Sequence, residues 1–274
     1  MGWSRSGVIR FSYIVWEFAR KDFRILRSYR LSFVTGIVAA VYGIISFRFV
    51  SNLIGGTKYI GSSTDYFRFV VIGVVVAGIM RTSTITTASN ARRDQVEGTL
   101  EILATQPVPL LALGLGWAIV PLLEEIAAGL LTLAIAVPLG FAGLNPNWAW
   151  TVLILLVTGI LFMSIGFIGA AAVLAIQQGA TVAGIAAAGM ALVSGTVFPV
   201  AVLPGWLQVV SKLSPLTYAL RAARTAILDG GNTSKVAGQT LILVAIAAVM
   251  LPLCLMVLRV AFDYARARGS LSRF

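Results

Sequence analysis

The sequence predicts an all-α integral membrane protein with six transmembrane helices, and three observations lead there. The chain has 274 residues, of which 58% are hydrophobic and 11% charged, and its mean hydropathy is +0.93. A soluble domain carries about 25% charged residues, and no soluble core hides this much apolar surface. Six candidate spanning segments, at 31–54, 67–91, 110–141, 149–176, 181–203 and 236–258, are each long enough to cross about 30 Å of hydrocarbon as a tilted helix. Helices are required because backbone groups in lipid must be satisfied within their own segment. The basic residues supply the third observation, because their placement orients those segments.

With the N-terminus inside, the cytoplasmic face carries Arg5, Arg10, Arg20, Lys21, Arg24, Arg27 and Arg30 before the first span. Arg92 and Arg93 follow the second, and Arg259, Arg266, Arg268 and Arg273 follow the last. The outer face carries Lys58, Lys212, Arg221, Arg224 and Lys235, while Arg48, Arg68 and Arg81 lie within spans. Basic residues collect on the cytoplasmic side, so both termini are expected inside a cell inner (plasma) membrane. The formal net charge of +11 is then a topology signal plus attraction to anionic lipid, and nucleic acid is not an expected partner. The whole of 1–274 reads as one transmembrane domain.

Residues 6–27 form an amphipathic helix, with Phe11, Ile14, Val15, Phe18 and Leu26 on one face and Arg10, Arg20, Lys21 and Arg24 on the other. Such a helix lies in the membrane plane, as an anchor or as a mechanical element. The arginine-studded start lacks the apolar core and cleavage site of a signal peptide.

The second span is unusual. Its apolar part, Phe67 to Met80, is too short to cross and continues as the polar run Arg81 to Asn90, which must face protein or a water-filled cavity. The third span carries Glu124 and Glu125 near its middle, with Pro121 and Pro138 to kink it. Charge at that depth is usually paired, and Arg81 with Glu124 or Glu125 is the natural pair. Structural pairing and a direct substrate or ion role both fit. Adjacent residues on a helix point about 100° apart, so the two glutamates do not face each other as a catalytic pair.

Between these spans, "RRDQVEGTLEILATQPVP" runs from Arg92 to Pro109. As a helix it places Val96, Leu100 and Leu103 on one stripe and Asp94, Glu97 and Glu101 on another, ending at Pro107 and Pro109. One reading is a solvated loop helix. The other is an apolar seat with an acidic outward face that docks a basic soluble partner.

The fifth span repeats small residues at Ala180, Gly184 and Ala188, which permits close helix packing within the chain or across a dimer seam. After it comes a pair of short helices over 204–231. Pro204 opens the first, Ser214 caps the second with Pro215 at its first position, and Gly230 and Gly231 stop it. Neither is long enough to span, so the pair reads as a re-entrant hairpin, with Trp206 and Tyr218 as interfacial anchors. It is a surface cap or a gate. The sixth span leads into a cytoplasmic tail, 259–274.

The chemistry that is missing narrows the function. There is no histidine and a single cysteine, Cys254, set in an apolar run, so a His-ligated metal site and an intrachain disulfide are excluded. No Gly-Lys dipeptide occurs, hence no phosphate-binding P-loop, and no G-x-S-x-G elbow. Asn232-Thr233-Ser234 matches a glycosylation sequon, a pattern common by chance.

Two stretches carry a family likeness. The Arg92–Pro109 stretch resembles the E-G-T-L-E-x-L-x-x-x-P element of ABC-2 type transporter permeases, the membrane subunits of ABC exporters with the ABCG-like (type V) fold. "SGTVFPVAVLPGWLQVVSKLSPLTYALRAAR", Ser194 to Arg224, resembles that family's end of span five and re-entrant helices. The resemblance implies half of a permease dimer, with an identical copy or a paralogue. It also implies a separate ATPase subunit that binds ATP and Mg, with no cofactor in this chain. It makes Arg93, Asp94, Glu97, Gly98, Thr99, Leu100 and Glu101 the region coupled to that ATPase, with Gly98 letting backbones approach closely. Spans two and five would line the path, placing Arg81, Thr82, Thr84 and Thr86 on it, with Phe198 near an outer constriction and Pro204, Trp206, Pro215 and Tyr218 in the gate. With no strong aromatic run, lipid-like, drug-like or other amphipathic cargo ranks above polysaccharide. The competing reading is a proton- or ion-coupled secondary transporter using Arg81 with Glu124 or Glu125. That class is built from inverted repeats, and no internal repeat is evident.

Overall fold

The computed structural model describes residues 20, 30–54, 61–100, 109–141, 144, 146–176, 179–229 and 232–267. They form eight helices: α1 (Arg30–Ile54), α2 (Ser63–Val96), α3 (Leu110–Ala136), α4 (Trp148–Ile176), α5 (Gly179–Val193), α6 (Gly205–Leu213), α7 (Pro215–Leu228) and α8 (Thr233–Ala267). A π-helical turn over Val137–Phe141 extends α3, and a 3-10 turn over Val200–Val202 precedes α6. The expected interfacial helix at 6–27 lies outside the described residues, apart from helical Arg20.

Four helical segments are long and apolar enough to cross a membrane: Ser63–Val96, Leu110–Phe141, Trp148–Leu174 and Thr233–Ala267. Two shorter apolar helical stretches, Val38–Leu53 and Gly179–Val193, correspond to the first and fifth expected spans. The fifth is the larger departure. Helix α5 stops at Val193 rather than 203, because the chain turns at Gly195 with φ +79. At 1.5 Å per residue its 15 residues reach about 22 Å, short of the hydrocarbon thickness.

Helix α2 corrects the reading of the second span in both directions. It starts at Ser63 because Ser62 and Asp65 close a capping box: the Asp65 amide donates to Ser62 Oγ at 3.2 Å, and the Ser62 amide donates to Asp65 Oδ2 at 3.1 Å. It then runs unbroken through the polar segment to Val96. Residues 92–96 are therefore the last turn of this span and not the start of a separate helix.

The polar segment is accommodated in the bundle because its threonine hydroxyls at 82, 84 and 87 are bonded within the protein, while Ser83 Oγ is buried without a partner among the described residues. The dominant partner of α2 is α4. Thr87 Oγ1 donates to Ser83 O at 2.6 Å in its own helix, and Thr84 Oγ1 donates to Phe162 O of α4 at 3.3 Å. Gly166 makes the approach possible, since a Cβ there would lie 2.8 Å from Thr87 Cβ and 2.9 Å from Ser83 O. Of the two environments the sequence left open, protein is the one found for Ser83, Thr84 and Thr87.

Of the two settings left open for the Ala180, Gly184 and Ala188 stripe of α5, packing within the chain is taken by the neighbouring stripe of small residues. Gly179, Ala183 and Ala187 are buried, while Ala188 is exposed. Among the described residues, a Cβ added at Gly184 would meet only Ile85 Cδ1, at 3.9 Å. The third, fourth and sixth spans stand close to where they were expected. Pro121 sits inside α3 without ending it, and α8 continues nine residues beyond 258, to Ala267.

The buried side chains gather in two clusters. One surrounds Phe67, Ile72, Ile79, Phe162, Leu216 and Leu220, at the end of the bundle where α7 packs. The other surrounds Leu100, Trp117, Phe167, Leu258 and Phe262 at the opposite end, and Cys254 packs in it as a small apolar residue. In lipid such clusters are held by close van der Waals contact, because the surrounding medium is equally apolar.

Candidate functional site

Polar side chains collect at three levels of the bundle. The first is the elbow that ends α2. Glu97 is the C-cap and Gly98 follows it in the left-handed region at φ +72. The Glu97 amide donates to Arg93 O at 2.9 Å and the Gly98 amide to Gln95 O at 3.2 Å, closing the helix end. Among the described residues, nothing lies within 4 Å of where a Gly98 Cβ would sit. Within the chain, this glycine serves the turn and not a close approach.

Beneath the elbow, Trp117 of α3 donates its indole N–H to Asp94 Oδ2 at 2.6 Å. Asn90 Nδ2 donates to Trp117 O at 2.7 Å, and Thr99 Oγ1 donates to Asp94 O at 3.1 Å. Arg92 Nη1 donates to Gln95 Oε1 at 2.9 Å. Leu100 is fully buried in the cluster around Trp117.

These positions revise the two expected stripes. Asp94 is 5% exposed, so it points into the protein instead of outward. Val96 is 45% exposed, so it is not part of the apolar seat. The reason is the continuity of α2, which carries the rotation of the span into residues 92–96 and turns Asp94 toward α3. Leu100 alone fills the seat among the described residues. Arg93 and Glu97 are exposed, Thr99 is half-buried, and Glu101 and Leu103 lie outside the described residues.

At mid-span, Thr82 Oγ1 donates to Glu125 Oε2 at 3.0 Å, and Glu125 Oε1 rests against α2 at Gly78. Glu125 is thus held by Thr82 rather than by the expected Arg81. Arg81 and Glu124 are both exposed on the bundle surface. The four residues expected on one path surface divide around α2: Arg81 is exposed, Thr82 meets α3, Thr84 is buried against α4 and Thr86 is half-buried.

The third level is the junction of α5, α6 and α7. Ser194 and Ser214 share a hydrogen bond of 2.6 Å between their buried hydroxyls. Ser214 caps α7 by position but makes no side-chain bond to it, because its hydroxyl is committed to Ser194. Pro215 follows at the first helical position, as expected. Thr217 Oγ1 donates to Ser211 O at 2.8 Å and Tyr218 Oη donates to Lys212 O at 2.9 Å, tying the end of α6 to the start of α7. Pro204 caps α6, Trp206 is 69% exposed and Phe198 is half-buried. The expected stop at Gly230 and Gly231 lies outside the described residues, and α7 ends at Leu228.

Arg224, which the sequence marks only as an outer-loop charge, reaches furthest across this junction. Its guanidinium carbon lies 3.4 Å from the Phe69 ring centroid. Its Nη2 donates to Gly195 O at 2.9 Å, Phe69 O at 3.2 Å and Thr196 O at 3.3 Å. The signal in the sequence was one arginine between Ala222, Ala223 and Ala226, on a helix face with nowhere aqueous to go.

Long apolar helices, with polar groups spent on joining helix to helix, define a multi-pass membrane protein. The chain matches the ABC-2 type transporter family over residues 15–228 and belongs to that family. Its members are transport subunits, the permease components of ABC transporters, and are not themselves enzymes. No curated protein matches the chain.

Proposed function

We propose that this chain is the permease half of an ATP-driven exporter that moves a lipid-like, drug-like or otherwise amphipathic substrate out of the cytoplasm. A separate nucleotide-binding subunit binds ATP and Mg, and a second permease, identical or paralogous, completes the path. In this reading the fold is of the ABCG-like type V, with α1–α5 and α8 as six spans. Both termini and the Gly98 elbow are cytoplasmic, and α6 with α7 forms the re-entrant hairpin in the outer leaflet.

The observation that carries the reading is the build of the elbow. Arg93, Val96 and Glu97 are presented outward at the very end of a 34-residue helix. That helix is about 51 Å long at 1.5 Å per residue, and its far end packs on α7. Asp94, Asn90 and Thr99 fasten the same end to α3 and to the chain beyond Gly98. A displacement applied at Glu97 and Gly98 therefore has a rigid element to act on. Glu97 and Glu101 are assigned the docking contacts, Gly98, Thr99 and Leu100 the turn and its seat, and Asp94 the fastening. Arg81 with Thr82 and Thr86 remains on the proposed path, and Phe198 stands at its outer end.

Purification with the proteins encoded beside it tests this. An ATPase is expected to co-purify, and Glu97→Lys is expected to release it or to silence transport. Transport by the chain alone down a proton gradient, sensitive to Glu125→Gln, would instead establish the secondary-transporter reading.

A further inference from the structure

Arg224 is a part-buried cation at an apolar junction. Among the described residues, no carboxylate lies within ion-pair distance of its guanidinium. Its hydrogen bonds all go to main-chain carbonyls, and its flat face lies on Phe69. Its Nε is buried without a partner. Two of the carbonyls, on Gly195 and Thr196, follow the C-terminal end of α5, where the helix dipole presents its negative pole. The third, on Phe69, belongs to α2. One side chain of α7 thus ties three elements together. The fit is close from the other side too, because a Cβ added at Gly73 of α2 would collide with Thr196 O and crowd Arg224 Nη2.

We infer that Arg224 is a positioning residue for transport: a releasable clamp that holds the outer ends of α2, α5 and α7 together and keeps the outer mouth closed at rest. Carbonyl acceptors make the clamp releasable. Parting an arginine–carboxylate pair in a membrane leaves two charges to resolvate, whereas parting Arg224 from carbonyls leaves one. Its long stem lets the freed head reach a headgroup region, and Arg221, about one turn earlier on α7, is already exposed. Neighbouring α6 needs no such release, since Trp206, Val209 and Leu213 are exposed rather than packed in the chain. The inference rests on the permease reading for what the mouth does, and not for the existence of the clamp.

The test places a reporter at the mouth. Phe198→Cys in the full chain, in membrane vesicles without nucleotide, is exposed to a membrane-impermeant maleimide from the outer side. The single native cysteine, Cys254, is buried, and the parent protein gives the background. Arg224→Lys keeps the charge but cannot serve three carbonyls while lying flat on Phe69. It is expected to raise the labelling rate by about tenfold or more, the scale on which losing hydrogen bonds to a charged group shifts an opening equilibrium. Yield and thermal midpoint should stay near those of the parent. Gly73→Ala, which leaves Arg224 intact but wedges α2 from Thr196, is expected to act in the same direction. It stands in if the arginine variant does not fold. Equal labelling in the parent and in whichever of the two variants folds overturns the clamp. A raised rate in the variants with no effect of ATP on the parent complex supports the clamp and counts against the permease reading alone.

Discussion

The elbow turns on single side chains whose roles separate by energy. Gly98 is required by its backbone and not by its surroundings. Gly98→Ala meets no described neighbour but places a side chain in the left-handed region, so a loss of about 1 kcal/mol is expected in a detergent unfolding titration. Trp117→Phe removes the donor and leaves the Asp94 carboxylate buried without it, at a cost of about 2–3 kcal/mol. Asp94→Asn keeps an oxygen facing the indole and is expected to cost clearly less. The reverse order would mean that the contact is incidental. Leu100 was legible as a buried apolar residue, because any register of the stretch that seats Leu103 also seats it. Asp94 was not legible: its outward placement depended on starting a new helix at Arg92, and nothing in the local sequence marks α2 as continuous there.

At the scale of the helix, hydropathy found the spans that are apolar throughout and misjudged those that are not. The second span looked short because Ser and Thr lower its hydropathy, although a hydroxyl bonded to a neighbouring carbonyl is compatible with a membrane interior. Its true start was written in Ser62 and Asp65, a capping pair just beyond the apolar run. The fifth span looked long because the apolar residues after Val193 belong to a turn and a 3-10 segment, which hydropathy does not separate from helix. The face it packs within the chain lies one position from the expected stripe, and hydropathy does not separate the two because both consist of small residues. Close and open glycines now make different predictions. Gly166→Ala drives a Cβ into Thr87 and Ser83, and is expected to cost about 1–3 kcal/mol or abolish assembly. Gly184→Ala, with its nearest neighbour at 3.9 Å, is expected to leave the thermal midpoint unchanged. Similar losses at both sites would show that the α2–α4 contact is not specially close.

The whole molecule joins two polar junctions at opposite ends of one long helix. Near one end, Asp94 and Asn90 fasten α2 to α3. Toward the other, Phe69 and Gly73 of the same helix meet Arg224 and the end of α5. Family membership was legible from two motifs in order, and the match over 15–228 covers both. The link between them was not legible, because it depends on α2 being one element and on an arginine that composition counted only as charge. On the proposed reading, nucleotide-driven movement at the Gly98 elbow reaches the outer mouth through α2. The direct measurement is the labelling rate of Phe198→Cys in vesicles holding the permease with its ATPase, before and after ATP, in the parent and in Trp117→Phe. The rate is expected to rise with ATP in the parent and to respond less once Trp117 no longer holds Asp94, with hydrolysis continuing in both. A rate that ignores ATP while hydrolysis proceeds would contradict it.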